Sequence, residues 1–221
     1  MNLALFPAGV QSEVRPTALS EGAEPLPEAE AGAMEHAVPA RVAEFITGRW
    51  CARRALQRLG YGGVAIPRAP DRSPVWPAGV VGSITHCVGF IGAAVARADH
   101  LGGLGFDAEL RREFPPEELD AFLTPPERER AHSGASPHWP MVVFSAKEAI
   151  YKAVFPLCRE PFDFLDVEVT TNWPEGTFTA RPAPDAPACI REPVGRILGR
   201  FTITTTHVVT AAWLPARGEQ G

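Results

Sequence analysis

The fold is decided by residues 80–110, which read VVGSITHCVGFIGAAVARADHLGGLGFDAEL. Three apolar runs lie in this stretch, and the breaks between them contain Gly or Asp. Apolar runs of this length, separated by turn-forming residues, are typical of strands joined by short connections. We therefore predict three consecutive strands that form an antiparallel meander, at residues 81–87, 90–97 and 104–110.

Apolar residues at helical spacing predict two long helices, one on each side of this stretch. The first covers residues 39–59, with Gly60 at its C-cap. Gly48 lies inside this helix, where glycine costs about 1 kcal/mol relative to alanine. Close packing or the approach of a ligand would explain it. The second helix follows Pro140, and we expect it to end at Pro156 because proline interrupts helical hydrogen bonding.

The rest of the chain predicts a second set of strands, several loops and short helices. The predicted strands are FLDVEVTT, GTFTARP, GRFTITTT and HVVTAAWL. A surface loop with at most a short helix is predicted at 10–38, short helices between turns at 111–140, and proline-rich loops at 60–79 and 182–193.

One short pattern occurs twice in the chain. ITHCVGFIGAAV (84–95) resembles TTHVVTAAW (205–213), and each places Thr-His before an apolar strand that contains Ala-Ala. This likeness predicts an α+β fold of two similar halves, each a helix packed on an antiparallel sheet. A cleft between such halves is a natural ligand site. We divide the chain into domains at 1–103 and 104–221, and expect a monomer because one chain carries both halves.

Composition limits the class of protein. With 45% hydrophobic and 21% charged residues, the 221-residue chain can bury a sizeable core. Its net charge of −5 argues against nucleic acid as a partner, because phosphate backbones select basic proteins. The longest apolar run, residues 88–96, is far shorter than the roughly 20 residues of a spanning helix, and residues 1–10 do not resemble a signal peptide.

The cysteines also bear on the compartment. The four of them are widely spaced, which suggests neither a metal site nor a disulfide scaffold. We expect a cytoplasmic protein without membrane contact, in which the thiols are reduced and mostly buried.

Acidic residues in two places could bind a divalent cation. Asp107 and Glu109 are two apart on a predicted strand, so their side chains point to the same face. Glu148 lies on the second helix, four residues before Lys152. Carboxylate oxygens suit Mg²⁺, which commonly takes one or two of them together with phosphate oxygens and water. A polar strand end and a solvated ion pair are the ordinary alternatives, and the residues alone leave both open.

Basic residues and one histidine could bind phosphate. Arg49 and Arg53 are one turn apart on the first helix, and an arginine fork binds phosphate in a bidentate manner. Arg72 lies in the loop before the first strand, and His86 lies at a strand end, where imidazole could donate to phosphate. A solvated basic helix face and a histidine bonded within the fold are the alternatives. The sequence contains no nucleophile elbow, P-loop, dinucleotide fingerprint or zinc spacing.

The order and spacing of three motifs resemble the 4′-phosphopantetheinyl transferase superfamily. GSITHC is followed about twenty residues later by GFDAEL and about forty residues further by FSAKEAIYKA. GRWCARRAL and SPVWPAGVVGSITHC strengthen the resemblance, which covers residues 41–155, and they point to the class that activates enterobactin, surfactin and polyketide synthetases. The resemblance implies a fold of two halves related by a pseudo-twofold axis, with the active site in the cleft between them. Two departures are Phe106, where the family usually has Ile or Val, and Ala108, which offers no ligand.

The resemblance implies an activity and its partners. The 4′-phosphopantetheine arm of coenzyme A would be transferred to a serine of an apo acyl or peptidyl carrier protein, leaving adenosine 3′,5′-bisphosphate. Mg²⁺ would be the metal, with Mn²⁺ possible, and the pathways would be polyketide, nonribosomal peptide or siderophore biosynthesis. Two alternatives stay open: a Mg²⁺-dependent nucleotide or diphosphate hydrolase, and a non-catalytic module that binds coenzyme A or a carrier.

The resemblance also assigns roles by position. Asp107, Glu109 and Glu148 would bind the metal, Glu148 or Glu109 would act as general base, and Lys152 would assist catalysis. The residues that would bind coenzyme A are Arg49, Arg53, Arg72, Thr85, His86, Lys147 and Lys152. The segment 111–139 would dock the carrier, with Phe114, Phe122, Leu123 and Trp139 as its apolar residues.

Overall fold

The structure, a computed structural model, describes residues 5–19, 26–34, 37–133 and 136–216. The helices are α1 (Glu28–Ala31), α2 (Pro39–Arg58), α3 (Pro116–Leu119), α4 (Pro125–His132), α5 (Trp139–Cys158) and α6 (Ala188–Gly195). The strands are β1 (Gln11–Arg15), β2 (Val80–Cys87), β3 (Phe90–Arg97), β4 (Leu101–Leu110), β5 (Val167–Asn172), β6 (Thr177–Pro182), β7 (Leu198–Ile203) and β8 (His207–Pro215).

The strands form two antiparallel sheets. The smaller has the order β1-β3-β2, and the larger has the order β4-β8-β7-β6-β5. The predicted meander is therefore correct for β2 and β3 but wrong for β4, which pairs with β8. An apolar run identifies a strand, but its partner depends on residues distant in the sequence. The four predicted strands of the second half are confirmed.

A twenty-residue helix packs on each sheet. Helix α2 lies on the smaller sheet, with Ala52 and Leu56 in the shared core. Helix α5 lies on β4 and β8 of the larger sheet, with Ala149 and Ile150 fully buried. This arrangement confirms the α+β fold of two helix-on-sheet halves. The sheets divide at the turn 98–100, so the predicted domain boundary after residue 103 falls inside β4.

Two glycines explain how closely the helices approach the strands. A Cβ on Gly48 of α2 would lie 2.9 Å from Ile84 Cγ2, so packing against β2 accounts for this glycine. A Cβ on Gly105 of β4 would lie only 1.8 Å from the carbonyl oxygen of Ala149. Helix α5 therefore lies directly on β4, with no side chain between the two backbones at this point.

Three segments differ from expectation. The surface loop predicted at 10–38 contains β1, which pairs with β3, although residues 20–25 and 35–36 of that segment lie outside the described part of the chain. Helix α5 continues past Pro156, because a proline in the last turn removes only one hydrogen bond; Arg159 caps it in the left-handed conformation. The loop predicted at 182–193 contains most of α6, whose Ile190 and Val194 are buried.

Two further expectations concern the cysteines and the membrane. All four cysteines are free thiols, but only Cys51 is buried, so the prediction that most are buried is wrong. Among the helices of the described ranges, none has the length and apolarity needed to cross a bilayer.

Candidate active site

The two sheets meet where β2 lies beside β4. Side chains rather than a backbone ladder join these strands. The Ser83 hydroxyl donates to the carbonyl oxygen of Phe106 at 3.3 Å, and the Ala108 amide donates to Thr85 Oγ1 at 3.1 Å. We call this line of contact between β2 and β4 the seam. Asp107 lies on it, between the two β4 residues that are bound from β2.

Asp107 is a buried carboxylate with three hydrogen-bond donors. Lys152 Nζ of α5 is 2.6 Å from Oδ1, the Ser145 hydroxyl donates to Oδ2 at 2.7 Å, and Thr85 Oγ1 is 3.3 Å from Oδ1. The side chain of Lys152 is 28% exposed, whereas that of Asp107 is 3% exposed. The lysine can therefore reach a ligand in the seam while the aspartate stays in place.

Glu109 and Glu148 flank this carboxylate, and both are half-buried. Burial raises the pKa of Glu109 to about 7, with a further contribution from the negative charge of Asp107. Burial also raises the pKa of Glu148, and the Asp107 charge adds to it. Within the described residues, neither glutamate has a hydrogen bond or an ion pair. The structure thus brings the three predicted acids into mutual electrostatic contact, and the charge of Lys152 acts on both glutamates.

These acidic side chains can be compared with the set of ligands that a divalent cation requires. No three His, Cys, Asp or Glu side chains in the described part of the chain converge closely enough to hold a metal ion between them. Mg²⁺ bound to a phosphate substrate, however, usually takes only one or two protein carboxylates. Two half-buried carboxylates that form no ion pair within the described residues, with pKa values raised by burial and by Asp107, fit such an ion in chemistry and in charge.

His86 lies at the end of β2, on the other side of Asp107. Its imidazole contacts the guanidinium of Arg41 from α2, and Glu44 lies 3.6 Å away. Burial lowers the pKa of His86, and the Arg41 charge lowers it further. Arg41 was not among the predicted residues, although it lies eight residues before Arg49 and so near the same face of α2. That spacing is the sequence feature that could have identified it.

Arg49 and Arg53 lie further along α2 and are partly used within the fold. Arg53 forms an ion pair of 3.0 Å with the fully buried Glu30, which also accepts from the Ile66 amide. Arg49 donates through Nε to the Ile66 carbonyl oxygen. Burial lowers the pKa of Arg49 to about 10. The two arginines therefore support the packing of α2 in addition to any contact with a ligand.

Two residues predicted to bind coenzyme A have other partners, and these assignments are corrected. The Thr85 hydroxyl already joins β2 to β4, and the residue is 3% exposed. Lys147 is 2% exposed and donates to the carbonyl oxygens of Phe122 and Phe164 and to Glu127 Oε2, at 2.7 to 2.9 Å. An ammonium group with three protein acceptors has no hydrogen left for a phosphate.

Two other expectations are not supported by position. Arg72 is exposed on a loop with a φ of 70°, and within the described ranges its side chain has no hydrogen bond or ion pair. No hydrogen bond or ion pair of the described residues joins it to the other predicted phosphate ligands, so its role stays a prediction. The carrier-docking prediction fails for three of its apolar residues, because Phe122, Leu123 and Trp139 are buried in the core to which α5 contributes.

A cavity of about 220 Å³ opens beside Glu148. Aromatic side chains form much of its wall, and Glu148 and Asp163 supply charge at its edge. The lining residues are Lys147, Glu148, Tyr151, Phe162, Asp163, Phe164 and Val167.

Comparison with known proteins gives the family. A model of the 4'-phosphopantetheinyl transferase N-terminal domain matches residues 29–96, and a model of the 4'-phosphopantetheinyl transferase superfamily matches residues 103–206. The 4'-phosphopantetheinyl transferase PptT of Mycobacterium tuberculosis is 40% identical over 197 residues, which cover 86% of each chain. The chain belongs to the 4′-phosphopantetheinyl transferase superfamily. The resemblance found in the motifs is thereby confirmed.

Two more relatives of the transferase show how far the likeness extends. The 4'-phosphopantetheinyl transferase Svp of Streptomyces mobaraensis is 43% identical over 188 residues, covering 82% of this chain and 76% of the relative. Enterobactin synthase component D of Escherichia coli K12 is 37% identical over 125 residues, covering 54% of this chain and 58% of the relative.

Membership of the superfamily establishes the main activity. The protein transfers the 4′-phosphopantetheine arm of coenzyme A to a carrier protein, as the motifs predict. The prediction of a transferase is therefore preferred to a hydrolase or a non-catalytic binding module.

Proposed function

We propose that this transferase is Mg²⁺-dependent and that coenzyme A binds across the seam, between the two halves of the molecule. One observation carries the proposal: Asp107, Glu109 and Glu148 meet at the seam with Lys152, next to a basic group that includes His86. Acids that can hold a cation and bases that can hold phosphates are thus adjacent, as a reaction at a diphosphate requires.

The acids are the proposed metal ligands. Asp107, Glu109 and Glu148 do not converge closely enough to hold a cation on their own. They would hold one only together with diphosphate oxygens that complete its ligand set, and Mn²⁺ would replace Mg²⁺. A bound cation would supply neutralisation of the negative charge that develops on the leaving phosphate. The pKa values of Glu109 and Glu148 are raised by burial and by the Asp107 charge in spite of the nearby Lys152, which supports this assignment.

The phosphates of coenzyme A are proposed to lie between Lys152 and His86. Lys152 would exchange Asp107 for a phosphate oxygen, and its partial exposure supports such a movement. Arg41 would join His86, whose imidazole it contacts. Arg49 and Arg53 would add positive charge from the next turns of α2.

A glutamate is the proposed general base. Glu109 or Glu148 would take the hydroxyl proton of the carrier serine, and the serine oxygen would attack the β-phosphorus of coenzyme A. The bond from that phosphorus to the bridging oxygen would break, and adenosine 3′,5′-bisphosphate would leave with that oxygen. General base catalysis of this kind typically contributes about 10²–10⁴-fold to the rate. The aromatic cavity beside Glu148 is the proposed space for the pantetheine arm.

We further propose that the enzyme acts as a cytoplasmic monomer on acyl or peptidyl carrier proteins. Four free thiols are consistent with a reducing compartment. Size-exclusion chromatography with light scattering tests the monomer.

Mass spectrometry tests the metal assignment. The protein is incubated with coenzyme A, Mg²⁺ and an apo carrier protein, and the carrier serine gains the arm. Chelation of the metal should stop the reaction, and Mn²⁺ should restore it. Asp107→Ala should abolish transfer, whereas the matched variant Asp99→Ala, at an exposed turn, should be fully active. Full activity of Asp107→Ala would refute the assignment.

Steady-state kinetics tests the phosphate ligands. Arg41→Ala and His86→Ala should each raise KM for coenzyme A about tenfold, in line with loss of a charge-assisted hydrogen bond. Arg72→Ala serves as the comparison, because that side chain is exposed and no hydrogen bond or ion pair of the described residues joins it to the seam. An equal rise in KM for Arg72→Ala would restore the original prediction that it binds phosphate.

A further inference from the structure

Three hydroxyl groups, each from a different element, form one hydrogen-bonded cluster with Asp107. Thr85 comes from β2, Ser145 from α5 and Thr210 from β8. All three residues are buried, with 3%, 0% and 0% of their surface exposed. The Ser145 hydroxyl lies 2.7 Å from Asp107 Oδ2 and 2.9 Å from Thr210 Oγ1, and Thr210 Oγ1 lies 2.9 Å from the Ser145 carbonyl oxygen.

Counting protons fixes the direction of these hydrogen bonds. An ionised carboxylate only accepts, so Ser145 must donate its single hydroxyl proton to Asp107. The Thr210 proton is then directed to the two oxygens of Ser145, one on the side chain and one on the backbone. Thr210 thus orients Ser145, and Ser145 orients Asp107.

We propose that Ser145, held by Thr210, is a positioning residue for the transfer reaction. It occupies Oδ2 of Asp107 and so leaves Oδ1 to Lys152 and Thr85. The inference rests on the proposed role of Asp107. Partners that orient an acidic ligand in this way commonly contribute about 10–100-fold to activity or metal affinity.

A purely structural role predicts a different pattern. Thr171 is a second buried threonine of the same sheet, and it is 6% exposed. Its hydroxyl oxygen accepts a hydrogen bond from Trp139 Nε1 at 3.0 Å, and it makes no hydrogen bond with Asp107, Glu109 or Glu148 among the described residues. Loss of that hydroxyl should lower stability only. Loss of the Thr210 hydroxyl should also slow the transfer step, because the effect passes through Asp107.

The test compares Thr210→Val with Thr210→Ser. Valine keeps the shape without the hydroxyl, and serine keeps the hydroxyl. We expect kcat to fall about tenfold or more in Thr210→Val, with KM for coenzyme A within about threefold, and Thr210→Ser to restore most of kcat. Thr171→Val should keep kcat while its melting temperature falls. Equal kcat values for Thr210→Val and Thr210→Ser, or an effect confined to KM, would overturn the proposal.

A second measurement does not depend on activity. Ser145→Ala and Asp107→Asn are made singly and together, and their melting temperatures are compared. If Ser145 bonds to Asp107, the fall in melting temperature of the double variant is smaller than the sum of the falls in the two single variants. Strict additivity would contradict the contact and with it the proposal. The Asp107→Ala assay above judges the role of Asp107 separately, so failure of that role can be told apart from failure of this inference.

Discussion

Asp107 and Glu109 show how much the surroundings of a residue decide its chemistry. They are two apart on β4 and belong to the same acidic motif. Asp107 is almost fully buried but has an ammonium and two hydroxyls as donors. Glu109 is only half-buried and has no such partner within the described residues. Burial, with a further contribution from the Asp107 charge, therefore raises the pKa of Glu109 to about 7.

The first prediction concerns stability against pH. The pKa of Glu109 in the folded protein is about 7, above its ordinary value of 4.5. The folded state therefore holds a proton that the unfolded state has lost, and stability falls as pH rises from about 4.5 through 7. Glu109→Gln should remove this slope and give a higher melting temperature than wild type at pH 8, in metal-free and coenzyme-free buffer. Equal slopes of melting temperature against pH between pH 5 and 8 for wild type and Glu109→Gln would contradict this prediction.

Helix α5 serves two sides of the molecule at once. Adjacent residues of a helix are about 100° apart around its axis. Glu148 accordingly reaches the acids of the seam, while Lys147 points into the core and binds Glu127 of α4. The side chains of Ser145 and Lys152, two turns apart on the helix, both donate hydrogen bonds to the Asp107 carboxylate. The helix can place these groups only because it lies directly on β4.

The second prediction tests that close approach. Gly105→Ala places a methyl group 1.8 Å from the Ala149 carbonyl oxygen, a backbone atom that cannot rotate away. We expect a loss of about 3 kcal/mol in the free energy of unfolding. Gly102→Ala is the matched control, since the nearest atom to its Cβ is 3.5 Å away, and it should cost less than about 1 kcal/mol. Urea unfolding measures both; similar losses would contradict the packing argument.

The third prediction concerns the buried ion pair. Lys147 and Glu127 are 1% and 2% exposed, and burial lowers the pKa of Lys147. Lys147→Met leaves Glu127 buried without its cation, which should cost about 3–5 kcal/mol in unfolding free energy. Arg181→Met breaks an exposed pair with Glu168 and should cost less than about 1 kcal/mol. A loss in Lys147→Met as small as that in Arg181→Met would disprove a structural role for this pair.

At the scale of the whole molecule, the site exists because two sheets meet without merging. Strands β2 and β4 lie side by side but share no backbone ladder, so their unpaired groups are satisfied by side chains. The Thr85 hydroxyl of β2 therefore contributes to the free energy that holds the two halves together. The same arrangement brings His86 of one half near the acids of the other.

The fourth prediction tests the seam. Thr85→Val removes the acceptor of the Ala108 amide, and Ala108 is fully buried. An unsatisfied buried amide should cost about 1–3 kcal/mol in unfolding free energy. Thr85→Ser keeps the oxygen and should recover most of that loss. Denaturant unfolding of the two variants decides the point, and equal destabilisation would mean that the methyl group, not the hydroxyl, holds the strands together.

Local patterns in the sequence determined much of this protein. They identified both long helices, seven of the eight strands and an acidic pair on one face of β4, and their order identified the family. Each of these depends on neighbours in the chain, through helical or strand spacing, and needs no knowledge of distant contacts.

Only the tertiary structure decided which groups surround each site residue. It paired β4 with β8, directed Lys147 and Thr85 inward, set Arg41 beside His86 and placed the Ser145 hydroxyl on Asp107. Spacing shows which face of an element a side chain occupies. What lies opposite that face depends on the packing of elements that are far apart in the chain, and burial and charge at the site follow from that packing.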